Sequence, residues 1–308
     1  MPASARRGAD ANRPPADPAM KPLPTIRLAR SGPVRTAGPL LAALLAAAAS
    51  SALAQPQAPV APAAAGGNEE LLKKLANPIA ALISVPFQYN HDREIGPARA
   101  GSRDLLNIQP VIPMDLNADW NLISRTIVPV VGQRDVFPGA GSQSGLGDVL
   151  QSLFFSPKKP TSGGWIWGVG PVFLLPTATN DLLGANRWGL GPTGVALRQQ
   201  GPLTYGVLAN HLVSVGGGSG PDVNQTFVQP FASWSTPTLW TFTANVEATR
   251  DWERGTWSVP LNVLASKLVD VGGRKVSLGG GVGYWLDSPE GGPHGWRFRL
   301  VATLLFPK

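Results

Sequence analysis

The chain has no cysteine, and that excludes a disulfide-stapled secreted module as well as any thiolate metal site. Charge is also scarce: 15% of the 308 residues are Asp, Glu, Lys or Arg, where a globular cytosolic domain carries roughly a quarter. Methionine is rare, at 3 residues against 10 Trp. After residue 78 no apolar run reaches the roughly 18 residues that a spanning helix needs. What the chain has in quantity is 36 Gly and 31 Pro, which argue against a helical bundle because both interrupt a helical hydrogen-bond ladder.

The formal charge of +7 is concentrated at the N-terminus. Residues 1–54 hold seven basic and two acidic groups, so the remaining 254 residues carry 19 basic against 17 acidic. A nucleic-acid binder shows its basic groups as a patch or stripe, and none is visible here, so no nucleic-acid partner is expected. From Met20 onward the segment reads as an export signal. Lys21, Arg27, Arg30 and Arg35 precede an apolar run of 11 residues, Pro39–Ala49, and Ala52-Leu53-Ala54 forms a small-residue cleavage site before Gln55. Met20 is a second candidate start. Residues 1–54 are accordingly assigned to an N-terminal extension and a signal peptide cleaved after Ala54. Residues 55–78 are assigned to a periplasmic linker and a short helix over Glu69–Ala76, stopped by Pro78.

The body, 79–308, alternates between apolar and polar residues with a period of two, the signature of strands with unlike faces. Trp240, Phe242, Ala244, Val246 and Ala248 alternate with Thr241, Thr243, Asn245, Glu247 and Thr249. Trp296, Phe298, Leu300, Ala302, Leu304 and Phe306 alternate with Arg297, Arg299, Val301, Thr303 and Leu305. Twelve strands are predicted, over 79–90, 103–115, 119–131, 145–156, 164–176, 188–199, 203–215, 222–235, 239–250, 256–267, 275–286 and 295–306. Short and longer connections alternate between them. That pattern describes an all-β fold, a twelve-stranded antiparallel transmembrane β-barrel with periplasmic termini in the bacterial outer membrane. Trp165, Trp240, Trp257 and Trp296 at strand ends suit interfacial girdles, which a soluble β-sandwich does not need. Pro110, Pro129, Pro171, Pro192, Pro230 and Pro260 fall inside these strands, where each removes a ladder donor, so bulges are expected beside them.

Five stretches carry a resemblance: Leu75–Asn90, Gly170–Thr179, Tyr205–Leu212, Asp222–Phe231 and Gly283–Leu300. Over about residues 68–308 the chain resembles a proteobacterial family of outer-membrane barrel transporters. The family is grouped with the phenol-degradation meta-pathway proteins and sometimes mislabelled neuromedin U. The resemblance implies a barrel that takes up hydrophobic or aromatic compounds, with no catalytic residues to carry over. The chain departs from the usual barrel pattern at its end, where Phe306 is followed by Pro307 and Lys308 rather than closing on an aromatic.

Motifs for chemistry are thin. Gly189–Gly194 matches GxGxxG, but Pro192 and the residues after it offer no helix for a dinucleotide phosphate to cap. His91, His211 and His294 are scattered rather than clustered, so no metal and no cofactor are expected. In Gly141–Gly145 a Gln stands where a nucleophile elbow has Ser. Charges inside strands say more. Arg125, Asp148, Arg198, Glu247, Lys267, Lys275, Arg297 and Arg299 are predicted to face inward, because a basic group on the lipid side of the midplane costs roughly 2–4 kcal/mol. All but Lys275 are candidate constriction residues, with Glu247 and Asp148 as possible partners for Arg297 and Arg299. Tyr284 and Trp285 occupy both faces, so one ring is expected beside the arginines.

The expected function is passive uptake of a small hydrophobic or aromatic solute through a channel. Outer-membrane lipid and the barrel-assembly machinery are the other expected partners. The alternatives are an outer-membrane lipid hydrolase, with His211 beside Ser214 or Ser233, and a structural or adhesive barrel.

Overall fold

A computed structural model describes residues 62–218 and 220–306. The leader, its cleavage site and residues 307–308 lie outside that range. One helix, α1 (Pro62–Leu75), precedes fifteen strand segments. They are β1 (Ile83–Ile95), β2 (Gly101–Ile108), β3 (Val111–Asp115), β4 (Trp120–Arg134), β5 (Ser142–Leu146), β6 (Val149–Pro157), β7 (Trp165–Leu175) and β8 (Arg187–Gln200). β9 (Leu203–Gly217), β10 (Asn224–Ser235), β11 (Trp240–Val246), β12 (Ala248–Asp251), β13 (Thr256–Val271), β14 (Arg274–Asp287) and β15 (Trp296–Phe306) complete the set. All pair antiparallel in one sheet, and β15 pairs with β1 so that the sheet has no edge. Three staves are broken in two, β2/β3, β5/β6 and β11/β12, which makes a closed barrel of twelve.

Proline sets the places of the breaks, as a missing N–H requires. The first falls at Pro110 itself. The second, at Gly147 and Asp148, lies opposite Pro129, whose carbonyl accepts from Gly147 N at 2.9 Å. The third, at Glu247, is flanked by Pro230 on β10 and by Pro260 on β13, where the register also shifts. Pro171 and Pro192 stand directly opposite each other within continuous strands, and pairing from β8 to β9 is interrupted at Gly191 and Pro192.

The wall is apolar outside, and its strand-borne amides and most of its charges turn inside, the inverse of a soluble protein. Phe298, Leu300, Val263, Val282 and Phe242 are exposed, while Asn90, Asp92, Asn262, Arg297 and Arg299 are buried. Aromatic rings crowd both ends of the outer face. Trp165 meets Tyr205, and Trp240 stacks with Phe242 and Phe242 with Trp234, near the rim that carries the termini. Tyr284 meets Trp296 near the other rim, where the longer connections gather. An outward apolar band between two aromatic belts is a surface matched to a bilayer and its interfaces.

Helix α1 starts seven residues earlier than the sequence reading placed it, so the later part of the expected linker is helical. Pro62 is tolerated in a first turn that lacks N–H acceptors anyway, and Ala63–Ala65 have the highest helix propensity. Lys73 and Lys74 complement the carbonyl end of the helix. The helix stops the terminal mouth of the barrel. Leu72, 3% exposed, packs with Ala80, Leu82, Leu268 and Leu305, and Gln199 Nε2 donates to the Lys73 carbonyl at 2.8 Å. Beyond it Ile79 enters an apolar cluster with Ile123, Phe154 and Leu197. Burial of one leucine contributes roughly 1.5–3 kcal/mol, so this docking is reversible on its own. Leu72→Asp is expected to free α1 while the barrel persists. Proteolysis between residues 62 and 78 should accelerate at least tenfold, with heat-modifiable gel migration unchanged.

Candidate functional site: a two-faced lumen

Period-two alternation on β15 turns Arg297 and Arg299 inward while Trp296, Phe298 and Leu300 face out. Room for them comes from β14, which places Gly283 opposite Arg297 and Gly281 opposite Arg299. A Cβ on Gly283 would lie 2.6 Å from Arg297 Cγ and 2.6 Å from Asn262 Oδ1, so any larger residue would displace the arginine. On the other side β1 presents Asn90 directly across from Arg299, followed by Asp92.

The guanidiniums are held at several points. Arg299 donates to both oxygens of Glu247, at 2.8 Å each, and through Nε to Asn90 Oδ1 at 2.6 Å. Arg297 donates to Asp92 Oδ2 at 3.1 Å and lies 3.5 Å from Glu247 Oε2. Its Nε is 3.1 Å from Asp92 Oδ1 but off the hydrogen-bond axis, and it stays unpartnered. Trp285 Nε1 donates to Asp92 Oδ1 at 2.9 Å, and the Arg297 guanidinium lies 5.0 Å from the centroid of that ring. Arg103 lies 3.6 Å from Asp92 Oδ2, and Arg125 donates to Gln109 Oε1 at 2.8 Å. Four guanidiniums thus share two carboxylates, and this layer carries excess positive charge.

The facing half of the lumen is apolar. Val111, Ile123, Phe154, Val195, Leu197 and Leu208 form a buried cluster, with Phe227 and Phe231 packed against it. A cavity of about 280 Å³ lies on the polar side of the lumen, lined largely by Ser, Thr, Gln and Asn, and touches the apolar cluster at Val111 and Phe231. Asn77 and Pro78, just past α1, bound one end; Arg125 and Arg299 bound the other; Phe231 and Gln229 are among its walls.

Of the charges expected inside, Arg125, Glu247, Arg297 and Arg299 converge on this lumen. Three do not. Arg198 sits across from Trp165 on β7 and Tyr205 on β9, on the outer face near the terminal rim. Lys267 also faces out, its ammonium 5.3 Å from the centroid of Trp240. The inward rule fails for both because a long basic side chain level with the aromatic rings of the terminal rim reaches the interface, where aromatic faces and water accept it. Asp148 stands at the β5/β6 break and accepts four backbone N–H groups, from Thr177, Ala178, Ala185 and Asn186 at 2.6–3.1 Å. It anchors the 176–186 loop rather than an arginine. Lys275 lies 3.5 Å from Asp270 at a turn on the terminal rim. Asp92 and Asn90 were not singled out, because the first strand was ended at Asn90 although β1 continues to Ile95. Gln88, Asn90 and Asp92 at alternate positions were the signal.

His211 faces outward and shares Thr226 Oγ1, at 2.8 Å, with Trp252 Nε1. Ser214 and Ser233 lie on the inner face, bonded to the Asp222–Val223 segment and to Thr243. A hydrolytic pair built on His211 and either serine is therefore ruled out by facing. Gly189–Gly194 lies within β8, not at a strand-to-helix turn. Among the described residues no group of three or more His, Asp or Glu could hold a metal ion.

The crystal structure of an outer membrane channel from Pseudomonas putida F1 has the same fold. It superposes with a TM-score of 0.61 at 14% identity, over 73% of this chain and 96% of that one. Two other outer-membrane barrels align more loosely. The calcium-bound Salmonella typhi phospholipase dimer gives a TM-score of 0.41 at 11% identity, over 73% and 91%. The beta domain of the Bordetella autotransporter Brka gives 0.42 at 10% identity, over 73% and 100%. No protein-family model matches the chain, and no curated protein matches it.

Replacing Glu247 by Gln would leave two buried guanidiniums without their shared carboxylate, a change that costs about 3–5 kcal/mol when a buried pair is broken. Urea unfolding in lipid vesicles should give an unfolding free energy lower by that amount, with its midpoint at lower urea. Asp148→Ala should instead leave barrel stability nearly unchanged and expose the 176–186 loop to protease.

Proposed function

We propose that the protein is an outer-membrane channel for passive uptake of small hydrophobic or aromatic compounds. On this reading the leader is removed after Ala54, the barrel-assembly machinery inserts residues 79–308, and the termini stay in the periplasm. The observation that carries the reading is the 280 Å³ cavity, which Val111, Phe231 and Leu264 border on apolar sides, Ser, Thr and Gln side chains line elsewhere, and Arg125 and Arg299 close at one end. A cavity of about 150 Å³ is large enough to take up benzene, so the volume here suits a substituted single ring whose polar groups the Ser, Thr and Gln side chains can meet. Its flat faces match Phe231 and the cluster behind it. A hydroxyl or carboxylate on the ring would meet Arg125 and Arg299, which lie at one end of the cavity.

Twelve staves enclose a narrow bore, and side chains fill much of it, so a solute passes by displacing groups rather than through a water column. The excess of arginine over carboxylate favours neutral and anionic solutes over cations. No residue is assigned a catalytic role. The fold likeness to the Pseudomonas putida channel is consistent with this reading.

Swelling of liposomes that contain the purified protein tests it. Phenol and benzoate should enter at least tenfold faster than arabinose or glucose, and Phe231→Asp should abolish the preference. Brisk sugar entry, or aromatic entry no faster than into protein-free liposomes, would overturn the reading. A deletion strain grown on a panel of aromatic carbon sources would then name the solute.

A further inference from the structure

The outer face carries a second arrangement of charge at the loop rim, unrelated to the lumen. His91 and Arg93 are the last outward residues of β1, and Phe298 lies directly across from His91 on β15. Ser102 on β2 and Arg134 on β4 are register partners on the same outer face. Together with Arg99 and Glu94 from the β1–β2 turn they line a shallow pocket. The pocket sits immediately above the apolar band: the Arg93 guanidinium is 5.6 Å from the centroid of Phe298, which is itself exposed.

Three arginines converge here with little to neutralise them. Arg93 forms no ion pair among the described residues. Arg99 is 3.6 Å from Glu94 and Arg134 is 4.0 Å from Asp135, both long and solvent-exposed pairs that contribute little. A further acid, Asp104, is engaged by the Tyr89 hydroxyl at 2.5 Å and by His91 Nδ1 at 2.8 Å. The backbone here is held in a costly conformation. Glu94, Arg99 and Asp135 have φ values of 56°, 53° and 51°, in the left-handed region that non-glycine residues avoid. Strain of this kind persists where a particular placement of side chains is enforced, and it is often found at ligand sites.

We propose that this pocket binds the phosphate of a phosphorylated lipid headgroup in the leaflet at the loop rim. Guanidinium forks match phosphate oxygens, and the Ser102 hydroxyl supplies a further donor. The position decides the source of the phosphate. Phe298 lies directly across from His91 and Leu300 follows it down the same exposed outer face, so acyl chains attached to the bound headgroup would run down the apolar band. A cluster of basic groups at headgroup depth is the general mark of anionic-lipid recognition. The site goes beyond the transport reading and needs only that the barrel sit in a membrane.

Native mass spectrometry of the full-length mature protein in detergent, titrated with diphosphoryl lipid A, tests this. The Arg93→Gln/Arg99→Gln/Arg134→Gln variant should bind lipid A roughly tenfold or more weakly. Arg254→Gln, which removes a loop-rim arginine paired with Asp251 outside the pocket, should bind as the parent does. Heat-modifiable migration checks that each variant is folded. If the triple variant is not, Arg134→Gln alone carries the test, with an expected loss of about threefold, since Arg134 is exposed and its pairing weak. Equal retention of lipid A by a folded variant and the parent would overturn the proposal. So would displacement of lipid A by an equal concentration of inorganic phosphate, which would mark a free-anion site. Liposome swelling of the same variants separates this outcome from the transport reading, because loss of lipid binding is expected with solute entry unchanged.

Discussion

The interaction on which the rest depends is the forked pair between Arg299 and Glu247. It joins β15 to the break between β11 and β12, across β13 and β14, with both groups withdrawn from bulk water. A guanidinium in such a place is tolerable only if its donors are matched, and here Glu247 and Asn90 match them. Arg297 and Asp92 extend the same network one rung toward the loop rim. The wall is shaped to permit this. Glycines on β14 leave space for the arginine stems, and the proline-flanked break at Glu247 interrupts the wall where the carboxylate must reach inward. Removing any one of these features would leave a buried charge or a steric clash.

The barrel itself was legible because its cause is a simple alternation. A strand with lipid on one side and a packed lumen on the other must change polarity at every residue, and all twelve predicted strands overlap a stave of the wall. The prolines were legible as well, since a missing donor has few remedies: the wall breaks at Pro110 and opposite Pro129, and again between Pro230 and Pro260. The length of α1 was not, because Gln55–Gly67 lacks the periodicity that marks an amphipathic helix, while its alanines need no periodicity to be helical.

The lumen was legible only in part, and the reason is depth. Alternation assigns a residue to a face but not to a level along the barrel axis. Arg299 lies inside the wall, where facing inward is enforced, and Arg297 shares its face by register, whereas Arg198 and Lys267 lie level with the aromatic rings near the terminal rim, where an outward lysine or arginine costs little. Partner choice has the same limit. Glu247 and Asp148 are both acids in or near strands, and only the three-dimensional register brings the first to Arg299 and leaves the second among loop amides. Asp92 was missed through strand length, since two further inward positions follow from letting β1 run to Ile95.

The division of the lumen into a charged half and an apolar half bears on selectivity. A hydrated sugar needs hydrogen-bond partners on every side; Ser, Thr and Gln side chains line part of the cavity, but the cluster of Ile123, Phe154 and Leu197 beside it offers none, so water stripped on that side is not replaced. On the opposite wall the donors of Arg299 are already committed to Glu247 and Asn90, and a neutral hydroxyl competes poorly with a carboxylate for a guanidinium. An aromatic ring loses little on leaving water and gains contact with the apolar half without breaking any ion pair. The network that stabilises the barrel therefore also sets which solutes can pass it cheaply. Under the transport reading, the structural pair and the filter are one feature.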